Sequence, residues 1–288
     1  MSSPDHQLSN RPLMPLIRIG LSIGLLMSVI LGLTSCSEGS PVEPTTELVV
    51  VRGYLYAGEP VTDIQLTKTI SLSSVDSTAP PVNDASVDLI KEGRTYRLVL
   101  TPGDSGYYHY PGNDLEVKEG DRFDINVRYG GRTATATTSV PPPPDSVTLS
   151  SETLVIPATT DFGFFRPDTN RLVIQWSNPT GSLYYVVVEN IETNPEPIVI
   201  GIGPLERARG RFISPPTSSN SYMINILSLT HYGRHRVKVY RINEEYADLY
   251  RSRQQDSRDL NEPLTNITNG LGVFSAFNSV SAYFAVVK

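Results

Sequence analysis

The sequence is short of the residues that build most metal and cofactor sites. Its 288 residues include one cysteine, one tryptophan and four histidines. A single cysteine excludes an internal disulfide and a multi-cysteine zinc or iron–sulfur site. Charged residues make up only 19% of the chain, with 24 basic against 30 acidic side chains and no long basic run, so a nucleic-acid partner is not expected. We therefore predict neither a cofactor nor a bound metal.

The N-terminal residues have the organisation of an export signal. Arg11 and Arg18 precede an uncharged, apolar stretch over residues 19–35. The length of this stretch does not distinguish it from a membrane-spanning helix. It ends, however, in the sequence Leu-Thr-Ser-Cys at 33–36, which resembles a bacterial lipobox. That resemblance implies cleavage before Cys36 and lipidation of its thiol, with an uncleaved signal anchor as the alternative.

Removal of a signal peptide over residues 1–35 would leave Cys36 as the first residue. Residues 36–46 are polar and contain two prolines, which is typical of a flexible tether. No aspartate follows Cys36, so by analogy we expect attachment to the outer membrane rather than retention in the inner one. The expected membrane contact is the N-terminal lipid, whose acyl chains give stable anchoring.

Four consecutive prolines at 141–144 divide the remainder into blocks at 47–140 and 145–288. In the first block, apolar and polar residues alternate along short runs that glycine-rich turns separate. This pattern favours about seven half-buried strands in a small β-sandwich. The order of its segments resembles that of transthyretin-like or carboxypeptidase-regulatory sandwiches.

The second block is also rich in strand patterns. Trp176 ends one run, a short turn with a proline follows, and a tyrosine-rich run begins at Leu183, which resembles the B–C hairpin of a fibronectin type III domain. We expect Trp176 in the core. A helix is predicted near 243–255, and a closing strand at 283–288. The predicted fold class is all-β, with two tandem β-sandwich domains, transthyretin/carboxypeptidase-regulatory-like and then fibronectin type III-like, and one late helix.

A run of asparagine and glycine at 266–274, Asn-Ile-Thr-Asn-Gly-Leu-Gly-Val-Phe, lies between the helix and the last strand. With the lipobox, the opening Val-Val-Val-Arg-Gly-Tyr-Leu at 49–55 and the Asp-Ser-Gly-Tyr-Tyr turn at 104–108, it is similar to a family of Bacteroidota envelope lipoproteins catalogued as domain of unknown function 4249. The resemblance implies a lipid-anchored outer-envelope protein, often beside a TonB-dependent outer-membrane transporter. It implies no activity and no catalytic residues. We interpret the run as a structural connector, with a binding loop as the alternative.

Few residues suggest catalysis or metal binding. His231 and His235 are four residues apart, as in some zinc sites, but Gly233 interrupts any helix, so we expect surface polar residues. Aspartates in the turns offer the oxygen ligands that calcium prefers, but solvated turns explain them more simply. These aspartates are Asp104, Asp114, Asp121 and Asp124.

An aromatic loop at 106–112 is the best candidate for ligand contact, because rings bring a large area with little entropy to lose. We select Tyr108 and Tyr110 and expect both to be more exposed than Tyr107; packing of tyrosines across strands is the alternative. The predicted function is a non-catalytic binding or accessory role at the outer membrane, with a TonB-dependent transporter as the expected partner. The alternatives are an envelope hydrolase acting on glycan or peptide and a structural or adhesive surface protein.

Overall fold

Strand-forming sequence dominates the folded region. The computed structural model describes residues 48–70, 78–156, 171–198, 210–252 and 264–288. The strands in these ranges are β1 (Val49–Tyr56), β2 (Asp63–Lys68), β3 (Ser86–Lys91), β4 (Arg94–Leu100), β5 (Tyr107–His109), β6 (Arg122–Tyr129), β7 (Arg132–Ser139), β8 (Asp145–Leu149), β9 (Thr153–Val155), β10 (Leu172–Ser177), β11 (Leu183–Asn190), β12 (Arg211–Ile213), β13 (Ser221–Ile224), β14 (Gly233–Ile242) and β15 (Leu271–Val287). A short 3-10 turn spans Ile226–Ser228, and helix α1 spans Glu244–Ser252.

The first block contains seven strands, the number predicted, around an apolar core. They are hydrogen-bonded in the order β1-β2-β5-β4-β3-β6-β7. The first and last strands of this order, β1 and β7, are linked through β15, which pairs with β1. Strand β7 bonds to the segment that precedes β15, where the backbones of Thr135 and Thr268 exchange N–H···O bonds of 3.0 and 2.8 Å. The core between the strands includes Val51, Leu89 and Phe123, all fully buried.

The second block is a sandwich of two sheets. Strands β8, β10 and β13 form a three-stranded sheet, and its side chains share a core with those of β11 and β14 in the larger sheet. Trp176 on β10 is 3% exposed, 5.3 Å from the ring of Tyr184 on β11, which confirms its place in the core. The predicted hairpin between these strands is wrong, because β10 and β11 belong to different sheets. The turn at 178–181 therefore crosses from one sheet to the other.

Strand β15 is far longer than the predicted closing strand at 283–288. Its first part pairs in parallel with β1, from Leu271 opposite Val50 to Phe277 opposite Tyr56. Its second part pairs antiparallel with β14, as far as Val286 opposite Gly233. One strand thus contributes to both blocks, and residues 47–288 group as one compact unit. The division at 141–144 separates two cores but stays a prediction as a domain boundary.

Helix α1 confirms the late helix, although residues 253–255 of the expected range lie outside the described residues. Its start is fixed to β7, since the side-chain amide of Asn243 donates to the Ser139 carbonyl at 2.8 Å. Glu245 accepts hydrogen bonds from the hydroxyls of Thr138 at 2.8 Å and Ser275 at 3.2 Å. The helix is therefore attached to both the first block and β15. The all-β fold class is confirmed.

The pairing of β1 with β15 requires a glycine at 272. Gly272 has a φ of +100°, and a side chain there would overlap the backbone carbonyl of Val51 on β1. We expect Gly272→Ala to lower the free energy of unfolding by about 4 kcal/mol, measured by urea denaturation. Gly103 is a matched control, because its φ is +103° but a methyl group there would meet no other atom within 4 Å. Gly103→Ala should cost about 1–2 kcal/mol, and equal losses in both variants would contradict the close-approach explanation.

Candidate functional site

Tyr108 supports the core rather than a binding surface. It is 2% exposed, and its hydroxyl donates to the Val82 carbonyl at 3.0 Å and accepts from the Ala85 amide at 3.1 Å. The expectation that it is more exposed than Tyr107 is wrong, because successive side chains on β5 point to opposite faces. Tyr107 points outward, with the Arg52 guanidinium 5.5 Å from its ring. Tyr108 therefore presents almost no ring surface to a ligand.

Tyr110 lies in the wall of a cleft of about 410 Å³. Its hydroxyl donates to Asp114 Oδ1 at 2.6 Å, and its ring contacts that of Tyr96 edge-on at a centroid distance of 5.5 Å. A side chain at Gly112 would lie 2.7 Å from the ring, so the glycine leaves room for it. Three neighbours therefore fix the orientation of this half-buried ring, and Tyr110 remains a candidate for ligand contact.

Two distant segments of the chain form the cleft. One is the turn at 58–61 after β1, and the other is the extended segment at 110–118. Two backbone hydrogen bonds join them, from Tyr110 N to the Val61 carbonyl and from Gly58 N to the Val117 carbonyl, both 2.9 Å long. The cleft thus has two walls connected at both ends, and its lining includes the buried apolar residues Val61, Leu115 and Val117.

The acidic side chains at the rim of the cleft are paired. Glu59 binds Lys238 of β14 at 3.0 Å, Glu116 binds Lys118, and Asp114 binds Arg94. The hydrogen bond from Tyr110 holds the pKa of Asp114 below its usual value and raises the pKa of Tyr110. The hydrogen bond from Lys118 likewise lowers the pKa of Glu116. Each of the three carboxylates therefore has one cation beside it.

A mostly buried ion pair supports the wall of the cleft formed by residues 110–118. Lys91 Nζ lies 2.6 Å from Asp121 Oδ2 and donates to the Glu116 carbonyl at 3.0 Å. The same Asp121 oxygen accepts from the Lys118 amide at 2.7 Å. Because a buried carboxylate without a partner is strongly unfavourable, these contacts keep residues 116–121 in one conformation. The contacts of Asp121 therefore stabilise this wall of the cleft.

The other aspartates considered as calcium ligands also have protein partners. Asp114 binds Arg94 and Tyr110, Asp124 accepts from the Thr137 hydroxyl, and Asp104 accepts from the Asn83 amide. In the described ranges, no three or more histidine, cysteine, aspartate or glutamate side chains come together in a way that could hold a metal ion.

His235 is buried, contrary to the expectation of a surface residue. It is 2% exposed and stacks on Phe284 at a centroid distance of 5.0 Å. Its Nδ1 lies 3.0 Å from the Gly233 carbonyl, so this nitrogen carries the proton of the neutral ring. Its Nε2 lies 3.4 Å from the Asn190 amide, which donates to it. Burial lowers the pKa of His235, with a smaller contribution from His231.

Residues 266–270 of the asparagine- and glycine-rich run form a connector, and residues 271–274 form the start of β15. Asn266 binds the backbone of Phe274 twice, donating to its carbonyl at 2.7 Å and accepting from its amide at 3.0 Å. A Cβ atom at Gly270 would lie 2.9 Å from the side chain of Ile267, 3.0 Å from that of Ala134 on β7 and 3.1 Å from the Val49 carbonyl of β1, so the site is tight. The run therefore directs β15 into its place beside β1.

An aromatic cluster covers the outer face of the sheet where the blocks join. Tyr185 stacks on Tyr240 at 4.7 Å, and the ring of Phe277 lies 5.0 Å from that of Tyr246 on α1. Burial raises the pKa of Tyr185 and of Tyr240, so both stay protonated. The cluster consists of Tyr54, Tyr56, Tyr185, Tyr240, Tyr246 and Phe277. Sequence reasoning missed it because its members come from four strands and a helix.

Cys36 and the proposed tether lie outside the described residues. Within the part of the chain that the structure does describe, no helix has the length and apolar character needed to cross a bilayer.

A family profile for "Domain of unknown function (DUF4249)" matches residues 39–282. The chain belongs to this family. A search of curated proteins found no match. The predicted family membership is thereby confirmed, and with it comes no assigned activity.

Two solved structures are similar to the chain at low sequence identity. A crystal structure of titin domains has 14% identity and a TM-score of 0.20, covering 67% of this chain and 60% of that one. A structure of a 1.5-MDa bacterial ice-binding adhesin has 11% identity and a TM-score of 0.23, covering 85% of this chain and 66% of that one. The chain spans less than two thirds of either structure, and such TM-scores support no assignment of function.

The buried imidazole predicts a dependence of stability on pH. Because the folded-state pKa of His235 is lowered, the unfolded chain binds the proton first. The contribution of the neutral ring is complete above about pH 6.5 and is lost as the pH falls, by at most about 1.4 kcal/mol per pH unit. His235→Phe keeps a ring on Phe284 but cannot titrate. In urea denaturation at pH 7 and pH 5, the variant should lose less stability than the parent; equal losses would contradict the assignment.

Proposed function

We propose that the chain is a lipid-anchored protein of the cell envelope whose folded region binds a ligand without catalysing a reaction. The observation that carries the anchoring is the position of the only cysteine. Cys36 follows an uncharged, apolar stretch at 19–35 and precedes a polar segment with two prolines at 36–46. A thiol in that context is the substrate expected for acyl transfer, and several acyl chains give stable attachment to a bilayer.

The binding role is supported by the cleft beside Tyr110. Its walls are fixed by the Lys91–Asp121 pair and by the hydrogen bonds between its two segments. A site whose shape exists before the ligand arrives loses less conformational entropy on binding. Loops on a rigid β-scaffold are a common place for such sites.

The proposal includes a more specific role, that of an accessory protein at the outer membrane. The family resemblance implies a TonB-dependent outer-membrane transporter as the neighbouring protein. In this proposal, the lipid holds the folded region near the transporter, and the cleft captures the ligand there. Attachment to one surface raises the effective concentration of two partners without any new contact between them.

The anchoring is tested by changing the thiol. In cells, the parent should incorporate radiolabelled palmitate, and mass spectrometry should find Cys36 as its acylated first residue. Cys36→Ala should incorporate no label and keep its leader, because the acyl acceptor is gone. Ser37→Ala is the matched control and should be labelled like the parent. An unlabelled parent with an intact leader would overturn the proposal.

A further inference from the structure

We propose that the cleft beside Tyr110 binds a neutral saccharide, of the size of a monosaccharide or disaccharide. This inference rests on the binding role proposed above and names the class of ligand. Its basis is the combination of an oriented aromatic wall, an apolar lining and a rim of hydrogen-bond acceptors whose charges are already neutralised.

The aromatic and apolar surfaces suit one face of a sugar ring. Tyr110 is held by Asp114 and by the edge of Tyr96, so its ring is a fixed, flat wall. Leu115, which is 8% exposed, adds apolar surface to the same cleft. Val61 and Val117 also line it but are each only 3% exposed. A pyranose presents carbon-bound hydrogens on its faces and can cover such a surface. The volume of about 410 Å³ is near the lower end of the range for small-molecule sites.

The polar rim suits the hydroxyl groups of the same ligand. Glu59, Asn113, Glu116 and Lys118 line the cleft beside the apolar residues. Ionised carboxylates accept hydrogen bonds but cannot donate them, so the matching ligand must supply donors. Hydroxyl groups meet this requirement. An entirely apolar occupant would remove water from these acceptors without replacing its hydrogen bonds, at a cost in free energy.

The charge pairing favours a neutral ligand. Lys238 beside Glu59 and Lys118 beside Glu116 balance the two carboxylates that line the cleft. A cationic ligand would compete with these lysines, and an anionic one would face the carboxylates. A neutral polyol can accept from the lysines and donate to the carboxylates with both ion pairs intact.

Binding can be measured on the full chain purified from membranes in a zwitterionic detergent, which carries no sugar headgroup. Saturation-transfer NMR and calorimetry would use glucose, maltose, cellobiose, lactose and diacetylchitobiose as neutral probes. Glucuronate and glucosamine would serve as charged probes matched in size to glucose. Tyr110→Ser should weaken binding of the neutral probe by about tenfold, through loss of the ring contact. Tyr110→Phe keeps the ring but loses the hydrogen bond to Asp114, so it should bind more weakly than the parent and more tightly than Tyr110→Ser. Tyr283→Ser, which removes a tyrosine that is 50% exposed on β15, should leave binding unchanged.

Binding of at least one neutral probe that depends on the ring at position 110 would support the proposal. No binding of any neutral probe, preference for a charged probe, or equal binding by the parent and a folded Tyr110→Ser variant would overturn it. Its failure is distinct from a failure of the anchoring: a lipidated chain that binds none of the neutral probes overturns only the saccharide assignment, whereas an unlipidated chain that binds one overturns only the anchor.

Discussion

The parallel pairing of β1 with β15 is the constraint on which the rest of the structure depends. It joins the first and last strands of the folded region over the register from Val50 with Leu271 to Tyr56 with Phe277. Gly272 permits the close approach, and Gly53 leaves room for the ring of Phe274. Because β15 continues into a pair with β14, the same strand holds the second sandwich beside the first.

The position of one wall of the cleft depends on the pairing of β1 with β15. Just after β1, the Ala57 amide donates to the Phe277 carbonyl at 2.9 Å, which fixes where the turn at 58–61 begins. Glu59 in that turn then reaches Lys238 on β14, so one rim of the cleft is tied to the second block. The other wall depends on the Lys91–Asp121 pair within the first block. The proposed site is therefore built from both blocks, although its lining comes from the first.

Local patterns in the sequence predicted the strands, the core position of Trp176 and the late helix, because alternation and capping residues are local signals. The extent of β15 was not predictable in the same way. The run at 266–274 is interpreted from the sequence as a connector, but its last residues, 271–274, pair with β1, more than two hundred residues earlier in the chain. The sequence shows a glycine at 272, but neither its positive φ nor its close approach to β1 follows from the local pattern.

The difference between local patterns and long-range pairing also explains where the two candidate tyrosines, Tyr108 and Tyr110, lie. Aromatic residues occupy consecutive positions from Tyr107 to Tyr110, so the sequence carries no alternation that would fix which face is buried. The register decides it: Tyr108 pairs with Ile64 of β2 and Leu100 of β4 and points into the core. Tyr110 lies just beyond β5, where its backbone binds Val61 instead. That bond places its ring against the turn after β1, and the aromatic wall therefore exists only once the distant segment is in place.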